Sequence, residues 1–186
     1  MKKMNRKGFT LVELLAVIVI LAILMAIAAT NIGPVIDNSR RSSMRTTAQQ
    51  IIDAVRLQLT SNYELFPGKY CFTEAILDSG GVSAPFGGTY QYCTGSSSGS
   101  SKKIGSGVYP DGSTTIANGM SACTNSTYSY VIVEREADTS NYQWAICLAT
   151  SNGNKDGGFL AAKRDELDDK DNTNIFHGRA AIGNNE

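Results

Sequence analysis

Lys7-Gly8-Phe9-Thr10-Leu11-Val12-Glu13 runs without a break into an apolar stretch that ends at Ala29. Four basic residues, Lys2, Lys3, Arg6 and Lys7, precede the glycine, a phenylalanine follows it, and one carboxylate stands four residues further on. From Phe9 to Ala29 the polar residues are Thr10 and Glu13, so the stretch reads as one helix-forming segment long enough to cross a bilayer. The cations lie on one side of it, which holds the N-terminus in the cytoplasm and sends the rest of the chain outward. A carboxylate is costly inside such a helix. Glu13 therefore needs a role or a partner.

An ordinary secretory signal places its small-residue cleavage site after the apolar region. Here Gly8 lies before that region, and Glu13 interrupts its start. Arg6 is flanked by Asn5 and Lys7, so no twin-arginine signal is present. The coincidence of basic leader, Gly8, Phe9 and Glu13 resembles the class III signal of type IV pilins and pseudopilins. The resemblance covers Lys7 to about Pro34. It implies a leader, residues 1–8, cut after Gly8 by a membrane prepilin peptidase, with Phe9 becoming an N-methylated N-terminus. It also implies that Glu13 pairs with the Phe9 amino group of a neighbouring subunit during assembly. A free α-amino group titrates near pH ~8 and is largely cationic at neutral pH, so it can offset the cost of burying a carboxylate.

With 186 residues and 42% hydrophobic content, the chain suffices for one modest globular domain plus a helix. The formal charge is zero, but loss of the four leader cations leaves 13 basic against 17 acidic residues, net −4. That surface argues against non-specific nucleic-acid binding, which needs clustered Lys and Arg. The four cysteines, Cys71, Cys93, Cys123 and Cys147, contain no C-x-x-C pair, and in an exported segment an even count reads as disulfides. Three pairings are open; loop length alone favours the sequential one, Cys71–Cys93 and Cys123–Cys147.

Gly33-Pro34 predicts a kink or local unwinding in the helix. Beyond it, Met44, Ala48, Ile51, Ile52, Val55 and Leu59 recur at helical spacing and form a core-facing stripe. The helix and its interruption occupy residues 9–62, and the head residues 63–186. Pro67-Gly68 closes the helical region, and 72–77 reads as a short helix or turn. Tyr128 to Glu134 and Tyr142 to Ala149 read as a hairpin across a polar connection, with a third strand at 158–162. Trp144 is the single tryptophan, placed in the core between sheet and helix. The Gly/Ser-rich stretch 95–103 and the sequon at Asn125 read as surface loops.

No catalytic constellation is visible, and the chain is read as non-enzymatic. His177 is the lone histidine and lacks a nucleophile–base context; no phosphate-binding loop is present. Asp165, Asp168, Asp169 and Asp171, with Glu166, Asn172 and Asn174, offer calcium-type oxygen donors without the EF-hand order, and a solvated acidic face is the ordinary reading. No other cofactor is expected.

The expected fold is α+β, the pilin fold: a long N-terminal helix, hydrophobic then amphipathic, packed on a small antiparallel head. The resemblance implies a major pilin, polymerising through its N-terminal helix into an extracellular type IV pilus for adhesion, motility or DNA uptake. Its partners would be other subunits, the prepilin peptidase, an assembly ATPase and a platform protein. Before assembly it would reside in the cytoplasmic membrane. A pseudopilin of a type II secretion or competence system shares these N-terminal features, and a membrane-anchored monomeric binding module is the reading from a different class.

Overall fold

A computed structural model describes residues 8–77, 84–94, 102–123, 128–150, 158–168 and 175–177. The chain divides into two compact units, Met1–Ser39 and Arg40–Glu186. Helix α1, Leu11–Ser61, contributes to both and is continuous through Gly33-Pro34, so the helix does not unwind at the proline.

From Leu14 to Ala28 α1 is apolar on every face. In the second unit it becomes amphipathic, and the stripe from Met44 to Leu59 is buried residue for residue as its spacing predicts. The C-terminus of α1 is a Schellman motif: the Glu64 N–H donates to the Leu59 carbonyl at 2.9 Å and the Tyr63 N–H to the Thr60 carbonyl at 3.2 Å. Tyr63 fills the left-handed position of that motif with φ 54°, a place where glycine is usual.

The rest of the head is built from β1 (Gly68–Phe72), a 3-10 turn at Glu74–Leu77, β2 (Val108–Pro110) and α2 (Ile116–Cys123). β3 (Tyr130–Arg135), β4 (Tyr142–Ala149), β5 (Gly158–Lys163) and β6 (Ile175–His177) follow. They form one antiparallel sheet in the order β2-β1-β3-β4-β5-β6. This is an α+β arrangement consistent with the pilin fold. The expected hairpin is β3–β4, with Tyr130 opposite Cys147 and Arg135 opposite Tyr142; β3 begins two residues later than the sequence pattern predicts. β5 is the expected third strand, one residue longer. Phe72 belongs to β1 rather than to the short helical turn after it.

Strand alternation sends side chains to two different cores. Tyr70, Phe72, Val131, Val133, Trp144, Ile146 and Leu148 join the α1 stripe on one face. Cys71, Tyr130, Ile132, Ala145, Cys147 and Ala149 form a second core on the other, with Ile116 and Cys123 of α2. A sheet buried on both faces explains why β3 and β4 read as near-continuous apolar runs rather than strict alternation. Trp144 lies in the α1-facing core, as expected.

Cys71, Tyr130 and Cys147 are direct cross-strand partners on β1, β3 and β4. The disulfides are Cys71–Cys93 and Cys123–Cys147, with Cα separations of 5.9 and 5.7 Å. The first ties the segment around Tyr92 to β1; the second ties the end of α2 to β4. Both lie in the core that faces α2. Gly105, φ +54°, sits where a Cβ would fall 1.9 Å from Gln58 Oε1. That same oxygen accepts the Ser106 N–H at 3.0 Å, so the turn before β2 rests on the end of α1, and a side chain at 105 would have to push Gln58 aside.

Candidate functional site

The N-terminal end of α1 is capped from within. The Thr10 N–H and Thr10 Oγ1–H both donate to Glu13 Oε2, at 2.8 and 2.9 Å, and the Glu13 N–H returns a bond to Thr10 Oγ1 at 3.3 Å. This is a reciprocal capping box, in which hydroxyl and carboxylate satisfy the otherwise orphaned donors of the first turn. The signal was present in the sequence as Thr10-x-x-Glu13. Reading Thr10 only as a polar residue in an apolar run misses its part in holding the carboxylate. Glu13 thus lies at the helix N-terminus, where negative charge also suits the helix dipole.

Gly8 and Phe9 precede the cap in non-helical conformation. A Cβ built on Gly8 meets nothing within 4 Å, so nothing in the described fold requires glycine there. Phe9 is 88% exposed. The residues before Gly8 lie outside the described part.

Leu11–Ala28 has a mean hydropathy of 3.1 and is long and apolar enough to cross a membrane. None of that window is buried within the chain. Leu11, Val12, Leu14, Leu15, Val17 and Ile18 are all exposed, and the residues after them continue the pattern. Monomeric soluble proteins rarely expose contiguous apolar patches above a few hundred Å². This surface calls for lipid or for other helices.

Residues 3–29 match the family model described as the prokaryotic N-terminal methylation motif. The chain carries a type IV pilin-like class III signal. The motif supports a type IV pilin or pseudopilin family protein. The match covers the signal and the apolar helix, not the head. No curated protein and no solved structure matches the chain.

The head holds a second polar constellation on the α2-facing side. Lys69 Nζ lies 2.7 Å from Asp111 Oδ2, and 4.5 and 5.2 Å from the ring centroids of Tyr130 and Tyr128. The Tyr128 hydroxyl donates to the same Asp111 oxygen at 2.6 Å, and the Tyr130 hydroxyl to the Gly119 carbonyl at 2.6 Å. Burial, reinforced by the Asp111 charge, pushes the Tyr130 hydroxyl up to about 12. For Tyr128, burial leads, followed by its hydrogen bond to Asp111 and that group's charge, and its hydroxyl rises further. These neutral phenols and one ion pair lock β1, the end of β2 and β3 together. They form a structural lock with no reactive atom placed for chemistry.

Of the calcium candidates, Asp165 is exposed. Glu166 turns its carboxylate to the backbone, accepting the Lys163 N–H at 2.9 Å. Asp169, Asp171, Asn172 and Asn174 lie outside the described residues, as does the side chain of Asp168. Among the described residues no group of three His, Cys, Asp or Glu side chains is placed to hold a metal ion.

Proposed function

We propose that the chain is the structural subunit of an extracellular type IV pilus, a major pilin that polymerises through α1. The observation that carries this reading is the wholly exposed apolar segment Leu11–Ala28 behind a methylation motif. It suits lipid while the subunit waits in the membrane and suits neighbouring helices once it assembles. Cleavage after Gly8 would free the Phe9 amine, and Glu13 would meet the methylated amine of an adjacent subunit. An assembly ATPase and a platform protein would supply the work, since the sequence carries no phosphate-binding loop motif. The disulfide-bonded head would form the outer surface of the fibre and set its role in adhesion, motility or DNA uptake. A pseudopilin would share the motif, and its filaments would not be recovered at length from the cell surface.

The capping box makes a discriminating test available. Gln at the third helical position retains the cap but carries no charge. If Glu13 serves only as a cap, Glu13→Gln should assemble normally and Glu13→Ala poorly. If the charge pairs with a neighbour's amine, both should be processed and membrane-inserted yet yield few filaments. Shearing cells, imaging by electron microscopy and weighing the subunit by intact mass provide the measurements. Wild-type filament yield from Glu13→Gln would remove the ion-pair role, and a mature mass that still includes residues 1–8 would remove the processing step.

A further inference from the structure

Two clefts meet on the head where the chain leaves α1 and enters β1. One of about 250 Å³ and one of about 580 Å³ are joined through Pro67, Gly68 and Ser113, which line both. The smaller is walled by Phe66, Pro67, Ile104 and Pro110, and its charged side chains are paired, Glu64 with Lys102 and Lys69 with Asp111. Phe66 is 58% exposed, and its carbonyl accepts the Tyr70 hydroxyl at 2.7 Å, which fixes the backbone that carries the ring. The larger cleft opens toward the start of α2 and the end of β3. The first turn of α2 is already satisfied there: Glu134 Oε2 accepts the Ile116 N–H at 3.2 Å and Thr115 Oγ1 the Asn118 N–H at 3.4 Å. Among the described residues the Ser113 hydroxyl, the Asn118 side-chain amide, the Arg135 guanidinium and the second Glu134 oxygen have no hydrogen-bond or ion-pair partner. No cation is in surplus, since Arg135 lines this cleft with Glu134 and also borders the β3–β4 turn with Glu136 and Asp138.

We propose that the joined cleft binds a neutral oligosaccharide of at least two hexose rings, one against Phe66 and the next against Ser113, Asn118, Glu134 and Arg135. The larger cleft alone falls within the range of about 300–1,000 Å³ typical of ligand sites. Balanced charge gives no purchase to a lone anion or cation. Four unengaged groups, some donors and some acceptors, call for a ligand with closely spaced hydroxyls, each of which can both donate and accept. Carboxylate and guanidinium make two-pronged contacts, and neighbouring hydroxyls on a ring match that spacing. The face of an aromatic ring carries partial negative charge, which suits the C–H face of a pyranose on Phe66. An extended peptide would instead add to an unpaired strand edge. Here the edge strand β2 ends in Pro110, and Ile104 bonds back onto Val108 along it. The cleft lies wholly within Arg40–Glu186, so the inference stands apart from the assembly reading and holds or fails without it.

The test uses the full chain in micelles of a detergent without a sugar headgroup, titrated by calorimetry. The probes are the β-1,4-linked trimers of glucose, mannose and galactose, with acidic trigalacturonate and a blocked alanyl-phenylalanyl-alanine tripeptide as controls. At least one neutral trimer should bind, and more tightly than either control. Asn118→Ala and Phe66→Ala should each weaken that binding about five-fold, the loss of one hydrogen bond or one ring contact. Both residues are exposed, so both variants should fold, which an unchanged urea midpoint by Trp144 fluorescence would show. Three results would overturn the proposal: no binding of any neutral trimer, a control that binds as tightly as the best trimer, or unchanged affinity in a folded variant. Should one variant fail to fold, the other decides. Loss of filaments in either variant does not enter the measurement.

Discussion

Removing the Asp111 carboxylate strands two groups at once. Its side chain is 9% exposed and accepts from both Lys69 Nζ and the Tyr128 hydroxyl. In Asp111→Ala the Lys69 cation would stay between two tyrosine rings without its anion, and the Tyr128 hydroxyl would lose its acceptor. Breaking one side of a buried pair costs about 3–5 kcal/mol, and an orphaned buried hydroxyl adds about 1–3 kcal/mol. Lys69 keeps 24% side-chain exposure and Tyr128 is only partly buried, so both can turn toward water. That relief brings the expected loss to about 3 kcal/mol, at the low end of the ion-pair range. Asp111→Ala with Lys69→Met should lose less than the sum of the single changes, because the stranded cation is gone. Urea unfolding of the full chain in detergent, followed by Trp144 fluorescence, reads this directly. With a slope of about 1–3 kcal/mol per molar urea, the midpoint of Asp111→Ala should fall by about 1–3 M. A fall below about 0.3 M, or strict additivity in the double variant, would refute the claim that the constellation acts as one lock.

The raised phenols make an alkaline limit. A group whose folded pKa lies above its unfolded value, here about 10, contributes stability that is complete below pH ~10 and disappears as pH rises through its folded value. The urea midpoint should therefore hold to about pH 10 and fall toward pH 12, the value to which Tyr90 and Tyr130 are raised; a midpoint unchanged to pH 12 would contradict the burial of these hydroxyls. Tyr63→Gly should stabilise the head by up to about 1 kcal/mol, because it relieves a left-handed backbone and gives up only a ring that is 92% exposed; a lower urea midpoint would show that Tyr63 makes contacts of its own. At Gly119 a Cβ would fall 1.8 Å from Ile132 Cδ1, and Ile132 is fully buried. Gly119→Ala should cost about 1–2 kcal/mol by overpacking, and Ile132→Val, which deletes the struck methyl, should recover stability in the double variant, as thermal unfolding can check.

Much of the head escaped sequence reading for identifiable reasons. β1 begins at a glycine after Pro67 and is five residues long; β2 has three residues and ends in Pro110, as an edge strand can. α2 contains Asn118 and Gly119, poor helix formers. It is held by outside bonds: the Glu134 carboxylate accepts the Ile116 N–H at 3.2 Å, and Cys123 is tied to Cys147. None of these supports is adjacent in sequence, so no local pattern announces them.

What the sequence by itself determined is the N-terminal segment and the α1 stripe. Charge order, apolar length and a 3.6-residue period are properties of neighbouring residues, and they survive in any fold that keeps α1 helical. Even the capping box at Thr10 and Glu13 is local, legible from two residues three apart. The tertiary structure decided which cysteines pair, which strands are neighbours and which polar groups share a site. Those outcomes depend on how loops close and on what covers each sheet face. Loop length favoured Cys71–Cys93 and Cys123–Cys147, but the row Cys71, Tyr130 and Cys147 across three strands exists only because β3 lies between β1 and β4. The same placement put Lys69 beside Asp111, and burial then made that contact matter, because a charge withdrawn from water requires a partner that only the fold can bring.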